Sequence, residues 1–255
     1  MNKAPRHLSH NLRRFSRGAV LGLGMLLAGQ GAVAQNSIAV EADQFVARFE
    51  GPTHRYGHGI MGNLPEWGRL CLEGGGHNAC VTLPETSVFE DIAPRLFDVD
   101  QDGTPEAIVV QSTVTQGAAL VVYKLHDGGL KRIATPHIGT RNRWLAPAGI
   151  GDLDGDGHIE LAYIDRPHLA KRLRIWRYKD GALIHVADSD RLTNHRIGEP
   201  FISGGLRDCG AGPEIITANA NWSRLMASRL SGDEVVSEDL GVYSPQKLAR
   251  AMTCQ

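Results

Sequence analysis

Apolar residues in this chain come in short runs broken by Asp, Gly, Ser and Lys, and the breaks recur in the same order. Ala107–Gln111, Ala119–Leu125 and Leu130–Thr135 form one series, with His126-Asp127-Gly128-Gly129 before the last run. A second series is Glu160–Asp165, Leu173–Tyr178 and Ala182–Asp188, with Lys179-Asp180-Gly181 in the same place. A third is Ile215–Ala218, Arg224–Leu230 and Val235–Asp239, with Ser231-Gly232-Asp233. These runs are too short for helices and rich in β-branched residues, so they predict strands. Asp-Gly between two apolar runs is the strongest local signal for a hairpin. Upstream, Leu70-Cys71-Leu72 and Cys80-Val81-Thr82-Leu83 flank a Gly-rich turn, and Phe45, Ala47 and Phe49 alternate as in a strand. Only Gln246–Met252, in the tail 244–255, carries helical character.

The series repeat at a fixed period. Asp98 and Asp152 are 54 residues apart, Asp152 and Asp208 are 56 apart, and Pro213-Glu214 parallels Pro105-Glu106. Gly59-Ile60-Met61-Gly62 resembles Gly149-Ile150-Gly151-Asp152 and marks a shortened first unit. Units therefore fall near 56–90, 91–139, 145–190 and 200–240, each with three or four antiparallel strands, the content of one propeller blade. The expected fold is all-β, a small β-propeller-like repeat domain over 35–255 with about four blades. Phe45–Glu50 is expected either to close the ring by joining the last blade or to begin a degenerate fifth.

Acid is concentrated at the head of two series. Asp98, Asp100, Asp102 and Glu106 stand at positions 1, 3, 5 and 9 of one loop, and Asp152, Asp154, Asp156 and Glu160 at the same positions of another, with Gly103 and Gly157 sixth. Two like charges about 5 Å apart repel by roughly 3 kcal/mol at an effective dielectric of about 20. Such loops suit a hard cation, and calcium best, because it accepts six to eight oxygens in a flexible shell. An EF-hand is excluded, since its bidentate Glu at position 12 is replaced by Val109 and Tyr163. An Asp-x-Asp-x-Asp-Gly-x-x-Glu loop that runs straight into a strand resembles the FG-GAP/VCBS repeat of integrin-α-type β-propellers. The resemblance implies two structural calcium ions that pin turns rather than perform chemistry. Thr104 and His158, at position 7, would add backbone carbonyls. The third copy, at Asp208, lacks the middle aspartates and is expected to hold no metal.

The N-terminal stretch reads as a leader. Lys3, Arg6, Arg13, Arg14 and Arg17 precede a small apolar stretch, and Ala32-Val33-Ala34 offers a cleavage site after Ala34. Ordinary Sec export fits better than the twin-arginine route, because Phe15 follows Arg13-Arg14 directly rather than one place later and no Ser or Thr stands immediately before the pair. Residues 1–34 are thus a signal peptide, and the mature chain is periplasmic or secreted, with no later run long enough to span a membrane. Removal of the leader leaves 22 Lys and Arg against 28 Asp and Glu, a formal charge of −6, which disfavours nucleic acid as a partner. Four cysteines in an exported chain point to disulfides. Of three pairings, Cys71–Cys80 across a hairpin and Cys209–Cys254 at the C-terminus are expected; four buried thiols are the alternative, and no Cys-x-x-Cys favours zinc.

Other residues carry weaker signals. His54 and His58, at i and i+4, lie in the loop entering the first unit, and Gly57 and Gly59 argue against the helix a metal site would need. Asn142-Arg143-Trp144 and His195-Arg196 take similar places before later units, which reads as a repeated structural role. Arg166, Lys171, Arg172, Arg174, Arg177 and Lys179 cluster; Leu173 and Ile175 are expected inside, with Arg172, Arg174 and Trp176 on a solvated face. No nucleophile or phosphate-loop motif is present, and Glu85, Glu90, Glu199 and Glu238 lack a spacing that singles out a catalytic pair. The favoured reading is an exported, calcium-stabilised binding or scaffold protein for an unknown protein or carbohydrate ligand. The alternative is an envelope or secreted hydrolase acting on carbohydrate in the propeller channel.

Overall fold

The structure is a computed structural model that describes residues 37–255; the leader and its cleavage site lie outside these. Four strand-rich units follow one another. The first holds β1 (Ser37–Ala42), β2 (Phe45–Thr53), β3 (Glu66–Gly74) and β4 (His77–Thr82). The second holds β5 (Ser87–Phe89), β6 (Arg95–Phe97), β7 (Glu106–Thr113), β8 (Gly117–His126) and β9 (Gly129–Ala134). The third is β10 (Leu145–Gly151), β11 (Glu160–Asp165), β12 (Arg172–Lys179) and β13 (Ala182–Asp190). The fourth is β14 (Leu192–Thr193), β15 (Gly205–Asp208), β16 (Pro213–Asn219), β17 (Arg224–Ser231) and β18 (Glu234–Val242), followed by the helix α1 (Pro245–Met252).

The expected turns form as two-residue hairpins. Asp127-Gly128 and Asp180-Gly181 take positive φ at both positions, the geometry whose twist matches the flanking strands. All pairing is antiparallel, and the third and fourth units are separate sheets of four and five strands. The first two units share one nine-stranded sheet, because β5 pairs with both β3, through Trp67 and Phe89, and β7. Phe45–Glu50 does not join the last unit. It lies in β2 between β1 and β3, because its partners Leu70 and Leu72 are also those its apolar face packs on.

Central strands are buried on both faces, which is why they read as unbroken apolar runs. With side chains alternating, Ala107 and Val109 face the first unit while Ile108 and Val110 face the third. Leu161 and Tyr163 share that second core, whereas Ala162 and Ile164 turn to a third, against Ile215 of the last unit. Ile216, Leu225 and Ala227 face outward under α1, which buries Ala251 against them. Ser244 caps that helix by accepting the Lys247 amide, and Pro245 begins it. The outward face of the first unit is closed differently. There Arg48 pairs with Glu50 and Glu73, Arg69 pairs with Glu50, and Cys71 is bonded to Cys80 directly across β3 and β4.

First and last units meet through loops. The Gly198 amide donates to the Ile60 carbonyl at 2.9 Å, and a side chain at Gly62, whose φ is +67°, would sit 2.7 Å from the Gly198 carbonyl oxygen. The second disulfide, Cys209–Cys254, ties the end of α1 to the loop after β15. Loop-closure entropy makes the 45-residue link the stronger constraint, about 4 kcal/mol against about 2.5 kcal/mol for the nine-residue one. Replacing Cys209 and Cys254 by serine should therefore lower Tm more than replacing Cys71 and Cys80, and should expose the 245–255 segment to protease; differential scanning calorimetry and limited proteolysis read the two effects.

Candidate functional site

Each acidic loop closes a hairpin. Phe97 pairs with Glu106 and Gly151 with Glu160, so the ninth-position glutamate is the first residue of the returning strand and is fully buried. Its Oε2 accepts the amide of loop position 2, Val99 or Leu153, at 2.8 Å in both copies. Asp98 accepts the amides of Asp102 and Gly103, and Asp152 those of Gly155 and Gly157. Gly103 and Gly157 take φ of +88° and +87°, which a residue with a Cβ resists. The result brings carboxylate oxygens of Asp98, Asp100 and Glu106 within 4.8 Å of one another, and likewise those of Asp152, Asp154 and Glu160.

A basic side chain from the next strand enters each cluster. Glu160 faces Arg177 across the ladder, and Arg177 binds Asp154 at 2.6 Å, Asp156 at 2.8 Å and Glu160 at 2.5 Å. Lys124 holds the matching place in β8, bonded to Asp100, to Asp102 at 2.6 Å and to Glu106 at 3.2 Å. The third copy keeps only this element: Glu214 pairs with Arg229 at 2.6 Å and Arg207 at 2.7 Å, while Asp208 accepts the Gly210 and Gly212 amides. Burial pushes the Glu106 carboxyl up to about 7 and raises Glu160, and Lys124 holds Asp102 below its usual range. Asp102 and Asp156 share the same basic residue but are not among the three residues whose oxygens lie within 4.8 Å of one another. Thr104 and His158 donate backbone amides to those two aspartates at 2.8 Å. An all-carboxylate donor set fits a hard cation, and Asp100 Oδ1, buried without a partner, is an oxygen such an ion would use. The loops touch where Gln101 Nε2 donates to the Gly157 carbonyl.

A second polar cluster lies at the far ends of β7 and β11, roughly 20 Å along the strands. His58 Nδ1 meets Glu90 Oε1 at 2.5 Å, and Ser112 Oγ donates to Glu90 Oε2. Glu90 is 1% exposed, and burial raises its carboxyl. Its backbone carbonyl accepts the Trp144 indole N–H. His168 Nε2 meets His195 Nδ1 at 3.1 Å, and His195 Nε2 lies 2.9 Å from the Glu199 carbonyl oxygen. A carbonyl only accepts, so His195 carries hydrogen on Nε2 and its neutral Nδ1 accepts from His168. Burial, with the neighbouring His195, pushes His168 down to about 4; burial lowers His195 too. Between these groups opens a cavity of about 240 Å³ lined by His58, Arg143, Trp144, His168, Leu169 and Ile197, among others.

His58, Trp144 and His195 are the pre-unit residues whose recurrence was visible in the chain; their convergence was not. The basic stripe resolves into pairs: Arg166 and Arg174 share Asp165, Arg172 holds Asp190, and Lys171 donates to the Ala220 carbonyl. Trp176 is not on a solvated face. Alternation sets it opposite Ile175 and beside Leu161 of β11, on the face that packs into the core between the second and third units, where it is 9% exposed and its indole N–H donates to Tyr163 Oη.

Stacked antiparallel units and repeated acidic hairpin loops define a β-propeller-like repeat protein. Residues 98–163 match the family model of the FG-GAP-like repeat, a stretch that begins at the first loop and takes in the second, so the chain carries an FG-GAP-like repeat there. No curated protein matches it.

The histidine pair sets a pH dependence. A histidine whose folded-state pKa falls below its unfolded value of 6.5 stabilises the fold fully above that value, and this contribution is lost as pH drops through about 4. Tm should therefore decline between pH 6.5 and 4, and His168→Gln should flatten that decline; melts across the range would show no difference in slope were the pair not buried neutral.

Proposed function

We propose that the chain is an exported, calcium-stabilised interaction module. FG-GAP repeats build propeller-type protein-interaction domains. The observation that carries the proposal is the twice-repeated convergence of three carboxylates within 4.8 Å at equivalent hairpins. Asp98, Asp100, Asp102, Glu106 and the Thr104 carbonyl would hold one ion; Asp152, Asp154, Asp156, Glu160 and the His158 carbonyl would hold the other. Bound calcium would pin each turn and would take over the charge balance that Lys124 and Arg177 supply. Two disulfides suit an oxidising compartment. Among the described residues no helix is long and apolar enough to cross a membrane. Exposed Leu169, Ile197 and Phe201, on loops at the histidine end, offer apolar anchors for a partner. The hydrolase alternative draws no comparable support: Glu66 and Glu90 meet at His58 but both are buried beneath it.

Extracellular calcium modules commonly bind near 10⁻⁴–10⁻³ M. At roughly 10 mM calcium each site should then add about 2 kcal/mol, or roughly 4–8 °C in Tm. Asp152→Ala with Asp156→Ala should remove that site's share; a Tm indifferent to calcium, EDTA and both substitutions would rule the ions out. Mass spectrometry of the exported protein should place the mature N-terminus at Gln35.

A further inference from the structure

The cavity between the His58–Glu90 and His168–His195 pairs has a defined pattern of donors and acceptors. Among the described residues Arg143 has no carboxylate partner, whereas neighbouring Arg166 is held by both oxygens of Asp165. His58 is anchored through Nδ1, so Nε2 has no protein partner among the described residues. Glu90 is buried, and burial opposes leaving it a lone anion. Whichever of the two groups holds the proton they share, Nε2 then carries hydrogen and donates. The other histidine is the opposite. The Glu199 carbonyl fixes the tautomer of His195, which fixes that of His168, and leaves His168 Nδ1 as a bare acceptor. Trp144, Leu169 and Ile197 complete an apolar wall.

We propose that this cavity binds a compact hydroxycarboxylate, with the carboxylate on Arg143 and His58 Nε2, the hydroxyl donating to His168 Nδ1, and an apolar substituent against Trp144, Leu169 and Ile197. An inorganic anion would satisfy Arg143 and His58 but would set a second acceptor against His168 Nδ1 and leave the apolar wall wet. A cation would meet the uncompensated Arg143 guanidinium. A neutral apolar molecule would leave Arg143 and His58 without hydrogen-bond partners in a half-closed space, which is costly. A cavity of about 240 Å³ limits the ligand to a small molecule or a single side-chain-sized group. The inference goes beyond the interaction reading and does not depend on ions in the acidic loops, which lie at the other ends of β7 and β11.

Titration calorimetry in EDTA, with mandelate, phenylacetate and 1-phenyl-1,2-ethanediol as probes, tests each element. Mandelate should bind at millimolar concentration or below; phenylacetate, lacking the hydroxyl, and the diol, lacking the carboxylate, should each bind about tenfold more weakly, the loss of one good hydrogen-bonded contact. Arg143→Gln should weaken mandelate by a similar factor and leave the diol unchanged. His168→Phe should erase the preference for mandelate over phenylacetate. Absence of mandelate binding, equal affinity for all three probes, or an Arg143→Gln protein that binds mandelate unchanged would each overturn the assignment. The three-probe comparison needs no variant and stands even should His168→Phe fold poorly.

Discussion

A buried carboxylate that must be neutralised stands at the entrance of three of the four units. Glu106 and Glu160 begin a returning strand and Glu214 is second in one, and the ladder places Lys124, Arg177 and Arg229 beside them. A buried anion without a countercharge is costly by several kcal/mol, so the partner is set by register. The rest of the loop follows from this. One glutamate oxygen faces the basic residue, which frees the other to fix the amide of loop position 2 and bend the chain into its turn. The aspartates then gather on the same positive charge. Where they have been lost, at Asp208, a second arginine, Arg207, supplies the contact instead.

Stacking imposes a second constraint. A strand buried on both faces must satisfy two cores at once, and alternation lets one sequence do so: even and odd positions of β7 and β11 serve different neighbours. The outermost units each pack a sheet face on only one neighbour and meet each other through loops alone, so their free faces need other cover. At one end ion pairs and a hairpin disulfide make a polar face that needs little burial. At the other an apolar face is retained and a capped helix is laid on it, held by a disulfide to the last loop.

The two ends of the strands have accordingly diverged in character. One carries charge-dense turns whose oxygens are arranged for a hard cation. The other carries histidines buried neutral, a carboxylate shielded beneath His58 and exposed apolar loop residues around a cavity. Electrostatics at the first end holds the hairpins; at the second, burial favours the neutral forms of His168 and His195, and Arg143 has no carboxylate partner among the described residues.

Local chemistry wrote much of this into the chain. Asp-Gly pairs and β-branched runs determine strands and hairpins, because turn geometry and side-chain alternation act over a few residues. The acidic nonapeptides and the pairing Cys71–Cys80 are legible for the same reason, being contacts within one hairpin. The basic partners of the glutamates, 18, 17 and 15 residues further on, are not legible in the chain, because cross-strand register appears only once two strands are paired. Tertiary structure alone decided that Phe45–Glu50 belongs to the first unit, that the second unit covers the Trp176 face of β12, and that His58, Glu90, His168 and His195 converge from loops far apart in sequence. Those outcomes depend on which faces are stacked and how loops cross between units, and no window of neighbouring residues contains that information.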